Sequence, residues 1–328
     1  MIPTPPVSIA PWLTPRVATD PMPLAVGTMN FGKRTPEPEA KRVVRRALER
    51  GLRFFDTANA YNGGESERIL GRALGSDRSA CFIATKVGLD MVSRKREGLS
   101  ASVMAGAIDA SLKRLGTDHV DLYYLHAPDP DVPLLETFLA MKEILASGKA
   151  RAWGVSNHAS WQVMELNALA DEHGVARPVA SQVLYNLLIR QLEIEYFAFA
   201  RRHPIHTTVY NPLAGGLLAG KHRQDTVPEG SRFDKNALYM KRYWSTRLFE
   251  LVRAIEEIAV TEGLTLVELS YAWLAGRQGV DSILIGPGDV AQLDAGIDAT
   301  QKRLSPDAVK KLDALQIAFA GTDAKYAR

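Results

Sequence analysis

LKRLGTDHVDLYYLH, Leu112 to His126, holds the join that decides the fold. Apolar residues recur at helical spacing from Ala101 to Leu115, and Gly116 follows as a helix stop. A few residues later Val120 to Leu125 forms a short apolar run, a strand, that ends on the polar side chain of His126. The same order of helix, glycine, strand and polar residue repeats in both directions. Upstream, Leu24 to Met29 reads as a strand and Glu39 to Arg50 as a helix ended by Gly51. Arg53 to Asp56 is a strand, Ser66 to Leu74 a helix ended by Gly75, and Phe82 to Thr85 a strand. Downstream, helices at Leu134 to Ala146, Trp161 to Glu172 and Glu193 to Arg201 alternate with strands at Ala150 to Val155, Val179 to Leu184 and His206 to Val209. Ser282 to Ile285 is the eighth strand, followed by a helix at Val290 to Ala299.

Strands that alternate with helices pair in parallel through right-handed crossovers. Eight such units predict an α/β fold, a (β/α)8 TIM barrel, as one domain over residues 1–328. Three features lie outside the repeat: a Pro-rich N-terminal arm at 1–21, expected to be extended, a long loop after the seventh strand at Asn211 to Tyr243, and a C-terminal helical tail. Loops that long in a compact domain are usually functional lids or disordered. Helical patterns at Ser245 to Glu262 and Thr265 to Leu274 separate that loop from the eighth strand.

Composition narrows the function. The 328 residues are 46% hydrophobic and 23% charged, with 40 basic and 37 acidic residues for a net charge of +3. So small and interleaved a balance gives no reason to expect a nucleic acid or a membrane surface as partner. The single cysteine, Cys81, leads into Phe82-Ile83-Ala84 and reads as a packing residue. No disulfide framework can form, which fits a reducing compartment. Pro3, Pro5, Pro6, Pro11 and Pro15 interrupt the N-terminus, which has no basic n-region, so a cytoplasmic protein is expected. No metal site is expected.

Chemistry in such a barrel sits at the C-terminal ends of the strands. Those positions carry Asp56, with Tyr61 in the loop beyond it, then Lys86, His126, Ser156-Asn157, Gln182 and Tyr210. Each has a plain structural role open to it: Asp56 as a turn cap, Lys86 as a solvated strand end, His126 held by a carbonyl, Tyr61 on the surface. Together, an Asp, Tyr, Lys and His at one mouth make a general acid with its tuning groups. A free tyrosine hydroxyl titrates near 10. An ammonium beside it favours the phenolate, so Lys86 is expected to lower Tyr61, with Asp56 keeping Lys86 charged. His126 can orient a carbonyl oxygen, where a donor stabilises developing alkoxide charge. No side chain donates hydride, so a nicotinamide must supply it.

At these residues the sequence resembles the aldo-keto reductases. The resemblance rests on Gly27 to Gly32 (GTMNFG), Asp56-Thr57-Ala58 with Tyr61, Gly64 to Glu67 (GESE), Thr85-Lys86 and the opening stretch. Trp153 to Asn157 (WGVSN) and Asn211 to Lys221 (NPLAGGLLAGK) carry it further, and it covers about residues 22 to 320. The loop run and Tyr239 to Trp244 (YMKRYW) look closest to the aflatoxin-aldehyde reductase branch, with channel β subunits as more distant relatives. The resemblance implies NADPH-dependent reduction of small carbonyl substrates by the tetrad Asp56, Tyr61, Lys86 and His126, with Tyr61 as proton donor. It implies a cofactor site at Gly27, Thr28, Met29 and Asp56, with Ser156, Asn157 and Gln182 on the carboxamide and Tyr210 stacked on the ring. Asn211 and Pro212 would also touch the cofactor, Leu213, Gly215 and Lys221 would line the pyrophosphate, and Arg232, Gly286, Gly288 and Gln292 the adenosine end. Gly288, Ala295 and Gly296 depart from relatives, which often place polar contacts there, so NADPH is expected to be preferred with weaker use of NADH. The branch suggests a homodimer.

Arg242, between Lys241 and Tyr243-Trp244 in the long loop, has two readings: a solvated surface arginine, or a fork for a substrate carboxylate beside Tyr61 and His126. Gly286 to Ala291 formally matches a dinucleotide fingerprint, but too little chain follows for the two halves of that fold. Two rival functions remain. Lys86 would serve a Schiff-base aldolase, and a cofactor-loaded regulatory subunit, like the channel β subunits, would need no turnover.

Overall fold

The computed structural model describes residues 10–13, 16, 20–89 and 97–326. In chain order its elements are α1 (Ala10–Leu13), β1 (Leu24–Gly27), α2 (Glu37–Glu49), β2 (Phe54–Asp56), α3 (Glu65–Leu74), β3 (Phe82–Val87), α4 (Ala101–Leu115), β4 (Val120–Leu125), α5 (Leu134–Ala146), β5 (Ala150–Ser156), α6 (Ser160–Glu172), β6 (Ala180–Leu184), α7 (Tyr196–Arg202), β7 (His206–Tyr210), α8 (Ala237–Tyr243), α9 (Thr246–Thr261), α10 (Leu266–Ala275), β8 (Ser282–Ile285), α11 (Val290–Ala299) and α12 (Pro306–Ala320). The eight strands pair in sequence order, all in parallel, and β8 returns to β1 to close the barrel. This is the (β/α)8 TIM barrel.

Local chemistry sets the joins. Gly116 closes α4 at φ 66°, where its N–H donates to the Leu112 carbonyl, a left-handed geometry that favours glycine. Thr265 and Glu268 form a capping box at the start of α10. Alternation along each strand divides the apolar residues into two cores. One lies between sheet and helices. The other fills the barrel with Ala25, Phe54, Phe82, Ala84, Leu122, Tyr124, Ala152 and Ala180. Gly154 admits the Tyr124 ring, because a Cβ there would lie 2.8 Å from it. On β7 and β8 the interior is polar: Ser282 Oγ lies 2.9 Å from His206 Nε2 and 2.8 Å from Thr208 Oγ1.

Several expectations are corrected. The N-terminal arm is not uniformly extended: Ala10–Leu13 makes a helical turn whose Leu13 packs into the barrel core. Most of the rest of that arm lies outside the described residues. The first strand stops at Gly27, short of Met29, and the third continues to Val87. The helix at Glu193 to Arg201 divides into a 3₁₀ turn, Gln191–Glu193, and α7. Glu193 is drawn out of the helix by Arg190 at 2.8 Å and Arg277 at 3.0 Å. The long segment after β7 is organised, with a 3₁₀ stretch at Ala214–Ala219 and α8, whose first turn is capped by Asn236. Arg34 ties it to the β1 side through the carbonyls of Gly230 at 3.2 Å and Ser231 at 3.1 Å. The tail helix α12 docks on α9. Among the described residues no single helix is long and apolar enough to cross a membrane.

Candidate active site

Lys86 is fully buried at the end of β3. Its Nζ donates to Asp56 Oδ1, to the Thr57 carbonyl at 2.7 Å and to the Tyr61 hydroxyl at 3.4 Å. An ammonium has three donors, and all three are engaged. That commitment disfavours Lys86 as a Schiff-base nucleophile. Gln182, across the barrel on β6, donates from Nε2 to Asp56 Oδ2 at 2.8 Å, so both carboxylate oxygens are held.

Tyr61 opens a 3₁₀ turn whose Asn62, Gly63 and Gly64 are left-handed, and Asn62 Nδ2 pins the turn to the carbonyls of Met29 at 3.1 Å and Phe31 at 2.7 Å. His126 meets the Tyr61 ring edge to face, 5.9 Å between centroids. Behind this group Ser66 donates to the Thr28 carbonyl at 2.8 Å, and its hydroxyl lies within hydrogen-bond reach of those of Thr28 and Thr57. The buried Glu67 accepts from Thr85 Oγ1 at 2.6 Å and Arg114 Nε at 2.5 Å.

Burial reverses one expectation. It pushes the Tyr61 hydroxyl well above its ordinary value, and the Asp56 charge pushes the same way. In the site as it stands the loss of solvent outweighs the pull of the Lys86 ammonium on Tyr61. Burial also pulls Lys86 below the ordinary lysine value, opposed by Asp56. His126 is held well below the usual imidazole range, first by burial and then by the Lys86 charge. Burial thus favours the neutral forms of Tyr61 and His126, while Asp56 favours the Lys86 ammonium. Burial raises the Cys81 thiol to about 11, in keeping with a packing role.

The remaining strand ends join this group. Ser156 Oγ donates to the Gln182 carbonyl at 3.0 Å, and Asn157 Nδ2 to the His126 carbonyl at 2.9 Å. The Tyr210 hydroxyl donates to Asn157 Oδ1 at 2.7 Å. Burial pushes Tyr210 up to about 12, with the Arg242 charge opposing. Asn211 donates to the Tyr243 hydroxyl at 2.8 Å and accepts from the Gly215 N–H at 2.7 Å. Left-handed backbone at Ala214, Gly215 and Gly216 follows Pro212 and Leu213, and all three N–H groups donate within the turn, to Asn211 and Leu213.

A second linked group lies on the β1 and β8 side. Arg232 donates to Asn30 Oδ1 at 2.9 Å and approaches Met29 Sδ at 3.3 Å. Asn30 donates to the Gly286 carbonyl at 3.2 Å. A Cβ on Gly286 would meet nothing within 4 Å, so the turn before α11 is open there, whereas one on Gly27 would lie 3.2 Å from Leu284. The Gly288 N–H is taken by Gln292 Oε1 at 3.0 Å, and Gln292 Nε2 by Asp289 at 2.6 Å. Lys221 is exposed and is not linked to either group. A guanidinium without a carboxylate partner among the described residues, open space at Gly286 and the Tyr210 ring fit a nicotinamide dinucleotide.

Sequence reasoning missed Thr57, Tyr124, Asn30 and Tyr239. Tyr124 had a signal: it lies two residues before the inward-facing His126 on the same strand face.

A closed parallel barrel with a buried Asp, Lys, Tyr and His group at its strand ends defines a (β/α)8 enzyme class with acid–base chemistry at the mouth. The model described as "Aldo/keto reductase family" matches residues 23–317, and the chain belongs to that family of oxidoreductases. It is 36% identical to aflatoxin B1 aldehyde reductase member 2 of Rattus norvegicus, over 84% of this chain and 79% of that protein. It is 32% identical to aldo-keto reductase family 7 member A3 of Homo sapiens, over 84% and 88%. A probable voltage-gated potassium channel subunit beta of Arabidopsis thaliana is also 32% identical, over 87% and 89%. Channel subunits thus stand among the relatives, at lower identity than the Rattus norvegicus reductase.

Proposed function

We propose that the protein reduces aldehydes or ketones to alcohols with NADPH, using Tyr61 as general acid. The observation that carries this is the Tyr61 hydroxyl 3.4 Å from a buried, Asp56-paired Lys86 ammonium. The substrate oxygen accepts hydrogen bonds from the Tyr61 hydroxyl and the neutral His126 ring. A nicotinamide, when bound, supplies hydride to the carbonyl carbon. The oxygen then gains basicity and takes the Tyr61 proton. Because burial keeps Tyr61 protonated in the resting site, the acid is loaded before reaction. Lys86 stabilises the phenolate left behind, a preorganised contribution that grows as charge develops. Solvent returns the proton to Tyr61 after product leaves.

On this reading Ser156, Asn157 and Gln182 hold the carboxamide and Tyr210 stacks on the ring. The turn at Leu213 to Gly216 takes the pyrophosphate, and Arg232 the adenosine phosphate. Preference for NADPH is moderate, since the Gly288 amide is already occupied and the Asp289 carboxylate stands at the same turn. Arg242 faces the Tyr210 hydroxyl, which favours substrates bearing a carboxylate. The protein acts in the cytoplasm, without nucleic acid, as a homodimer. Absorbance loss of NADPH and of NADH, followed across acidic and neutral aldehydes, tests the reading. A cofactor-loaded regulatory subunit, favoured by the channel relatives, predicts tight NADPH binding without turnover.

A further inference from the structure

Two guanidinium groups face the mouth without a carboxylate partner among the described residues. Arg232 is held by Asn30 and Met29, and Arg242 faces the Tyr210 hydroxyl. Both rest on one ring. The Tyr239 centroid lies 5.5 Å from Arg232 Cζ and 5.9 Å from Arg242 Cζ. Two like charges near one another repel, and the negative face of an aromatic ring offsets that repulsion.

The ring itself is fixed. Tyr239 is buried, its N–H is capped by Asn236, and a Cβ on Gly215 would lie 2.7 Å from its Cδ1. Phe233 meets it edge on at 6.3 Å. Tyr243, one helical turn along α8, is anchored by Asn186 at 3.2 Å and Asn211 at 2.8 Å. The platform therefore touches the left-handed turn at Gly215 and both arginines at once.

We propose that Tyr239 is a positioning residue that sets both arginines from one ring, and so couples recognition of the cofactor phosphate at Arg232 to recognition of an anionic substrate at Arg242. The inference rests on the proposed function above, which assigns those two roles.

Tyr239→Phe keeps the ring, and Tyr239→Met keeps bulk without it. In the cofactor-free protein, titration with NADP followed by tryptophan fluorescence should show Tyr239→Met weakened about fivefold, equivalent to about 1 kcal/mol per cation–π contact. KM for a carboxylate-bearing aldehyde should rise by a similar factor, with a neutral aldehyde of equal size unchanged. Tyr239→Phe should match the wild type. The double variants with Arg232→Ala and with Arg242→Met should be less than additive. Should Tyr239→Met fail to fold, a fluorinated phenylalanine at this position keeps the shape and weakens the ring face, with the same expected losses. Arg242→Met alone tests the underlying reading: an unchanged ratio of acidic to neutral KM overturns the substrate role, and the coupling with it. A changed ratio with additive double variants, or Tyr239→Phe behaving as Tyr239→Met, overturns the coupling alone.

Discussion

Lys86→Met removes one partner of a buried pair and leaves the other in place. In the native site Asp56 is fully buried and accepts from Lys86 Nζ on Oδ1 and from Gln182 Nε2 on Oδ2. After the substitution the carboxylate keeps a single neutral donor and no countercharge. Breaking a buried pair in this way costs about 3–5 kcal/mol. Unfolding entropy is roughly 2.1 cal/mol/K per residue, so over this chain a loss of about 4 kcal/mol lowers Tm by about 6 °C. Protonation of the stranded carboxylate stabilises the folded variant more than the unfolded one. The deficit should therefore be largest at neutral pH and shrink as pH falls through the carboxylate range. Adding Asp56→Asn removes the uncompensated charge and should restore most of the loss. Thermal and urea unfolding of the two single variants and the double variant, at pH 7 and pH 4.5, measure these terms. A double variant no more stable than Lys86→Met, or a deficit that does not change with pH, would refute the electrostatic account of this core.

Three further outcomes follow from the same geometry. His158 donates from Nδ1 to the Ser156 carbonyl at 2.8 Å, and burial holds it at about 4 against an ordinary 6.5. The unfolded chain then binds a proton that the folded one refuses, so stability falls as pH drops from about 6.5 to 4, and His158→Gln should flatten that slope by about 1.4 kcal/mol per pH unit. Equal slopes in wild type and variant would count against it. Arg232→Ala should weaken NADPH binding about tenfold to a hundredfold, the equivalent of roughly 1.5–3 kcal/mol, and NADH binding far less; fluorescence titration that shows equal losses removes Arg232 from the phosphate. Arg242→Met should raise KM for acidic aldehydes selectively, and an equal change for neutral ones assigns Arg242 to the surface.

The barrel was legible because apolar runs, stops such as Gly116 and polar strand ends such as His126 repeat along the chain. The site residues were legible for the same reason: parallel strands put Asp56, Lys86, His126 and Gln182 at one end. Four kinds of feature were not. The turn at Ala10–Leu13 is too short to show periodicity. At Glu193, where the expected helix breaks, Arg277, far off in sequence, shares the carboxylate with the neighbouring Arg190. Order in the loop after β7 comes from aromatic packing among Phe233, Tyr239 and Trp244 rather than from propensity. The direction of the Tyr61 shift depends on burial, which spacing does not report: the sequence places a lysine nearby but not the loss of solvent that outweighs it.

The central claim is that Tyr61 delivers the proton. Single-turnover oxidation of bound NADPH by Tyr61→Phe, with cofactor affinity measured on the same preparation, tests it most directly. The account predicts a rate lower by orders of magnitude with NADPH affinity little changed, because the ring and its contact with His126 are kept while the hydroxyl proton assigned to the substrate oxygen is lost. A rate like that of the wild type would contradict it.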